Sequence, residues 1–216
     1  MKQPEIKAAL ILSLESGMDI PLARLSFRRS PKGLIYTRTE GDATWQFAME
    51  FASNPSYASG SIAHVIPSLR ISNPSITDLS LSLVEDAMLL ANAPEVLQNH
   101  RLTMLQRPQL PGWYAADIGE LDNAVTEALQ IFLDQGISFL ADYSNPAGII
   151  RQFEAKDARV LLQRHQYVHV IAAYLLEGRP LDAMAIVHQQ FSMPGIRKRY
   201  ATLWKNVTSR SSATPP

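Results

Sequence analysis

Residues 34–51 read L-I-Y-T-R-T-E-G-D-A-T-W-Q-F-A-M-E-F, and the fold class follows from them. Two runs rich in β-branched and aromatic residues flank Gly41-Asp42. Glycine at the first central position supplies the positive φ that a two-residue hairpin turn needs. Pairing Glu40 with Ala43 sets the register. Arg38 then faces Trp45, Tyr36 faces Phe47 and Leu34 faces Met49. Trp45, Phe47, Met49 and Phe51 share one face of the ribbon, with Gln46, Ala48 and Glu50 on the other. A two-stranded ribbon is marginal in water, so the pattern demands further partners.

Residues 61–71, S-I-A-H-V-I-P-S-L-R-I, can supply a third strand. Pro67 cannot donate a ladder hydrogen bond and predicts an edge position or a bulge. R-L-T-M-L-Q at 101–106 is a fourth candidate, ended by Pro108, Pro111 and Gly112. A helix is expected over residues 4–15, with Ile6, Leu10 and Leu14 on its buried side and Gly17 as its stop. Another is expected over 75–91, capped by Ser75 with Asp78 and lined by Leu79, Leu83, Ala87 and Leu90. A tight hairpin first, then strands interrupted by a helix, predicts an α+β fold: a small antiparallel sheet of a hairpin plus one or two further strands, packed on helices.

Beyond Trp113-Tyr114 the pattern is helical. Asp117 with Glu120 opens a helix carrying Leu121, Val125 and Leu129, and Gly136 should close it. Asn145-Pro146 starts a short helix, and Asp157 is expected to open a long one to Glu177. Pro180 suits the first position of the next, and Ile196, Tyr200, Leu203 and Val207 mark a last one. Residues 172–190, A-A-Y-L-L-E-G-R-P-L-D-A-M-A-I-V-H-Q-Q, read as an antiparallel helical hairpin in which Ala172, Ala173, Ala183 and Ala185 permit close approach. It is similar to a single tetratricopeptide-type unit, but no second copy follows at a fixed period. The expected organisation is a sheet region over 1–115, a helical region over 116–208 forming one continuous domain with it, and a disordered tail over 209–216.

Of 216 residues, 46% are hydrophobic, and 20 Lys and Arg balance 20 Asp and Glu. A neutral chain has no global field to hold a polyanion, which argues against a dedicated nucleic-acid binder. The chain has no cysteine, which excludes disulfides, thiolate metal sites and cysteine nucleophiles. Glu5 ahead of A-A-L-I-L-S-L, with no small-x-small site close behind, reads as an amphipathic helix rather than a secretory leader. No apolar run reaches the ~20 residues needed to cross a bilayer. The expectation is a soluble cytoplasmic protein.

Candidate chemistry is sparse. His165 and His169 stand four apart, on one helical face, and His188 could join them across the Gly178 turn. That trio is the candidate zinc site, and with it the alternative of a metal-dependent hydrolase. Gln166 follows the first histidine where a zinc protease needs a glutamate base. The competing reading places both histidines at the edge of an apolar stripe. His64 reads as a hydrogen-bonded or solvent-facing strand histidine, and His100 has no recognisable partner. No G-x-S-x-G, dinucleotide or phosphate-loop motif occurs. Arg197, Lys198 and Arg199 form the one tight basic cluster, which keeps open a nucleic-acid regulator acting through the C-terminal helix. Tyr57, in N-P-S-Y-A-S-G, is a loop aromatic that can anchor a partner or cap a sheet edge. No cofactor is implied, and no catalytic or metal residue is assigned.

The order of features resembles a bacterial family of α+β domains of unknown function, some of them immunity-like proteins encoded beside toxins. The resemblance rests on L-S-F-R-R-S-P-K-G-L-I-Y-T-R after the first helix, on W-Q-F-A-M-E-F, on S-I-A-H-V-I-P-S-L, and on P-G-W-Y followed by the capped helix ending D-Q-G-I-S-F-L. It covers roughly residues 4–153 as pattern. It implies a non-catalytic protein-binding module, an immunity or accessory factor that occludes the surface of another protein. It carries no catalytic residues.

Overall fold

The computed structural model describes residues 1–90, 93–106 and 112–212. The protein is α+β, with a six-stranded sheet and a helical C-terminal region. It divides into two compact units. The first comprises residues 1–40, 44–70 and 98–140, the second 41–43, 71–97 and 141–216. Neither is a continuous segment, so a cut between 115 and 116 runs through the first.

In the first unit, helices α1 (Gln3–Gly17) and α2 (Asp19–Arg24) precede the sheet. The sheet strands are β1 (Arg28–Arg29), β2 (Ile35–Glu40), β3 (Ala43–Ser53), β4 (Ala63–Ser72), β5 (Gln98–Arg101) and β6 (Trp113–Ala115), in the order β1-β2-β3-β4-β5 with β6 also on β4. The hairpin takes the expected register. Gly41 has φ +56°, Met49 N–H donates to Leu34 O at 2.8 Å, Tyr36 stacks against Phe47, and the Arg38 guanidinium lies 4.8 Å over Trp45.

Two strand expectations are corrected. Since β3 occupies one side of β4, β5 and β6 share the other, so β4 is internal and, of the two positions expected for Pro67, the edge is ruled out. Its missing N–H falls beyond the β6 register, which pairs Ala63 with Ala115, His64 with Tyr114 and Val65 with Trp113. The candidate strand at 101–106 lies instead at Gln98–Arg101, followed by a 3-10 turn over Leu102–Leu105. Pro108 and Pro111 lie outside the described residues.

Helix α4 (Ile118–Ile131) is capped by Asp117, whose Oδ1 accepts the Glu120 N–H at 2.9 Å. It packs on α1, Ile6, Leu10 and Leu14 being buried on one and Leu121, Val125 and Ala128 on the other. Gly136 does not stop the helix. A π turn over Phe132–Gly136 leads into α5 (Ile137–Tyr143). The bulge seats Phe132 between the two aromatic neighbours it touches: its ring stacks on Phe47 (4.3 Å, 5°) and meets Phe27 edge-on (5.4 Å, 83°). A Cβ on Gly136 would lie 2.7 Å from Phe132 Cδ2, so the position is kept bare.

In the second unit, α3 (Pro74–Val84) is capped by Asn73 rather than Ser75. The Asn73 Oδ1 accepts the Ile76 N–H at 3.3 Å, and its amide donates to Ser144 O at 3.0 Å. The helix ends at Glu85, which adopts φ +61°, and a 3-10 turn over Ala87–Leu90 replaces the predicted continuation to 91. Helix α6 (Pro146–Glu154) starts at the Asn145 cap as expected.

Helix α7 (Arg164–Leu176) starts seven residues later than the Asp157 reading. Val168 to Tyr174 are all buried, because α3, α6 and α8 (Pro180–Phe191) pack around it. Enclosed along that stretch, the helix shows no amphipathic stripe there. The α7–α8 pair forms the expected hairpin with Ala172, Ala173 and Ala183 buried, while Ala185 faces outward. Helices α9 (Pro194–Arg199) and α10 (Ala201–Ser212) follow. Ser209–Ser212 are therefore helical rather than tail, and Ser211 Oγ donates to Pro180 O at 3.2 Å; residues 213–216 lie outside the described ones. Among the described residues no helix is long and apolar enough to cross a membrane.

Candidate functional site

The three candidate zinc histidines do not converge. His165 is half-buried, His188 is exposed and packs edge-on against Trp204 at 4.7 Å, and among the described residues no three His, Asp or Glu side chains are placed to hold a metal ion. His169 is neither a ligand nor an edge residue. It is 3% exposed at the centre of α7, and its Nδ1 lies 2.9 Å from Ser80 Oγ on α3. Ser80 Oγ also lies 2.8 Å from Ile76 O, a partner that can only accept. The one hydroxyl proton goes there, so the imidazole is the donor to Ser80 and its Nε2 is left as an acceptor without a partner. A serine beside a histidine suggests a nucleophile and its base. Here the serine proton points to a main-chain carbonyl and both side chains are buried, so no substrate reaches them. Burial, with His165 beside it, pushes the His169 imidazole down to about 4.

Two ionic hubs repeat one chemistry. In the first unit, Arg29 grips Asp19 through Nε (2.9 Å) and its terminal nitrogen (2.8 Å), while the Tyr36 hydroxyl donates to Asp19 at 2.6 Å. In the second, Arg159 grips Asp157 and also reaches Asp142 at 2.7 Å, and Tyr143 donates to Asp157 at 2.8 Å. The Arg29 hydrogen bonds hold Asp19 below the usual carboxylate range. Burial opposes the same effect at Asp157, but Arg159 and Tyr143 prevail. Burial and the neighbouring aspartate push both tyrosines far up. With Asp19 and Asp157 held down and Tyr36 and Tyr143 pushed up, the hubs are braces rather than acid–base pairs. Asp19→Asn should cost about 2 kcal/mol in chemical denaturation at pH 7. The Arg29 side chain is only 7% exposed and would lose its counter-charge, but the 36% exposure of Asp19 discounts the larger cost of a sealed pair. A loss under about 0.5 kcal/mol would mean that the guanidinium is solvated.

The remaining constellation is at the surface. In the β4–β6 register His64 sits opposite Tyr114, and their rings stack at 4.4 Å and 23°. Tyr57, from the β3–β4 loop, meets both rings edge-on and places its hydroxyl 2.9 Å from His64 Nδ1. Tyr57 is 64% exposed and Tyr114 40%. Burial, then the Arg101 charge, lowers the His64 pKa, which favours the neutral imidazole. Gly112, at φ +106°, lets the chain pass His64: a Cβ there would lie 3.0 Å from Nε2. His100, by contrast, is buried and stacks on Phe139 at 5.0 Å.

Sequence reading picked out Tyr57 and His64 separately and missed Tyr114. The alternation in W-Y-A, with Trp113 inward and bonded to Glu127 at 2.8 Å, was the signal for an outward Tyr114. The cluster offers flat aromatic surface and two phenols, and among the described residues no three metal-ligating side chains are gathered there.

No family model, no curated protein and no solved structure matches the chain. Its chemistry is therefore read from its own residues.

Proposed function

We propose that the protein is a non-catalytic binding module that docks another protein on the Tyr57–His64–Tyr114 surface. One observation carries this reading: two solvent-exposed tyrosines are locked by a histidine between them, 2.9 Å from the Tyr57 hydroxyl. Tyrosine is enriched at interface hot spots because it offers a large area for little lost entropy. A cluster already ordered in the free protein lowers the cost of binding further. Arg101 fits a carboxylate at the rim of the partner's surface. The resemblance to immunity-like α+β domains supplies the partner class, a toxin-like protein encoded beside this one in a bacterial cytoplasm and blocked by surface occlusion.

The test is co-purification with the product of the neighbouring gene, followed by titration calorimetry. Tyr57→Ala and Tyr114→Ala should each weaken binding about 30-fold, equivalent to about 2 kcal/mol, with unchanged circular dichroism. Failure to associate at micromolar concentration, or affinities indifferent to both substitutions, would remove the proposal.

A further inference from the structure

The balanced net charge hides a strong segregation. Residues 183–212 contain five Lys or Arg and no Asp or Glu. Arg197, Lys198 and Arg199 end α9 and Lys205 lies on α10, all four exposed. Every ion pair among the described residues uses Arg29, Arg38, Arg70, Arg151, Arg159 or Arg179. Arg197, Lys198, Arg199 and Lys205 enter none, nor does exposed Arg164 at the start of α7.

Arg197 is oriented: its guanidinium lies 4.5 Å over the Trp204 ring. Stacking leaves the donor edges of a guanidinium free for bidentate contact with an oxyanion.

We propose that this surface of α9 and α10 binds the sugar–phosphate backbone of a nucleic-acid duplex. Like charges that no carboxylate among the described residues pairs with lose their repulsion when they face a regular array of phosphates. The chemistry of the patch chooses among polyanions. A lipid surface would need apolar side chains beside the cations. The exposed positions of α10 instead carry Ala201, Lys205, Thr208, Ser209, Arg210 and Ser212, and Met193 ahead of α9 is a single exposed apolar side chain rather than a face. Single strands are held by bases stacked on aromatic rings. The ring available, Trp204, is half-buried, with Arg197 over it and His188 against its edge. Phosphate contact without base stacking is the remaining fit, and it positions without reading sequence.

The experiment is fluorescence anisotropy of the full chain with a labelled 20-base-pair DNA duplex, an RNA duplex of the same sequence, a 20-nucleotide single strand, and phosphatidylserine vesicles. Duplex binding should be micromolar at 50 mM salt, with a log–log salt slope of about −4 from four or five phosphate contacts. The combined variant Arg197→Glu, Lys198→Glu, Arg199→Glu should weaken it at least 30-fold with an unchanged far-ultraviolet spectrum. If that variant does not fold, Lys198→Gln and Lys205→Gln, each exposed and outside the ion pairs, should each make the slope shallower by about one. Equal binding of DNA and RNA duplexes supports backbone recognition. Absence of duplex binding at 50 mM salt, indifference to the substitutions, or tighter binding to the single strand or the vesicles overturns it. Tyr57 and Tyr114 take no part in this titration, so its failure and that of the protein-docking reading are distinguishable.

Discussion

Phe132→Ala should lower the free energy of unfolding by about 4 kcal/mol, near the upper range for emptying a buried aromatic site. Phe132 has no exposed surface. It holds one ring face against Phe47 and meets Phe27 edge-on, so truncation removes both aromatic contacts as well as the buried area. The void has little means of closing. On the helix side the chain is committed to the π turn that aims residue 132 inward. On the sheet side Phe47 is held between β2 and β4. Urea unfolding of the variant gives the figure directly. A loss below about 1.5 kcal/mol would show that the neighbours relax into the space, which close packing of three rings does not allow.

The second large effect is a pH dependence. His169 titrates at 6.5 in an unfolded chain but at about 4 when folded, because burial disfavours the imidazolium. Between those values the unfolded state binds the extra proton. Stability is therefore complete above about pH 6.5 and falls as the pH drops to about 4, by about 3 kcal/mol in all. His169→Leu should flatten that decline. The variant should remain folded at pH 7, because Ser80 already donates its proton to Ile76 O and loses only a donor to its oxygen. Urea midpoints at half-unit pH intervals would measure it; equal slopes in parent and variant would refute the assignment. Half-buried His64 and His165, also lowered by burial, contribute in the same window but persist in the variant. Asp19 and Asp157, held below 3.8, contribute above that value and lose their share only at more acid pH.

The parts of the fold legible in the sequence were those fixed by local chemistry. Gly41-Asp42 with strict alternation on either side leaves one register. Asp117 and Asn145 cap helices because a short polar side chain reaches the third N–H ahead. Where neighbours decide, the sequence misleads. Ser75 is as good a cap as Asn73 on paper, but Asn73 can also bond Ser144 O. Gly136 resembles a helix stop, yet the packing of Phe132 makes it the bare point of a π turn. Asp157 resembles an N-cap, but its carboxylate is taken by Arg159 and Tyr143. The spacing of His165 and His169 suggested a shared exposed face. The unbroken run V-H-V-I-A-A-Y was the better guide, since a stretch buried throughout has no surface for a ligand set. Tyr57 was visible as a loop aromatic, but its partner Tyr114 comes into contact only through the β4–β6 pairing.

The route of the backbone has a practical corollary. The polypeptide changes unit at residues 40/41, 43/44, 70/71, 97/98 and 140/141. Neither half of the molecule can be obtained by trimming the gene from one end. A protein truncated after residue 140 has the whole of one unit and the orphaned first pieces of the other, Ile71–Leu97 among them, with the apolar side of α3 stripped of α7. Such a fragment should be sticky in solution, and rejoining it with a separately made 141–216 peptide should restore a monodisperse species.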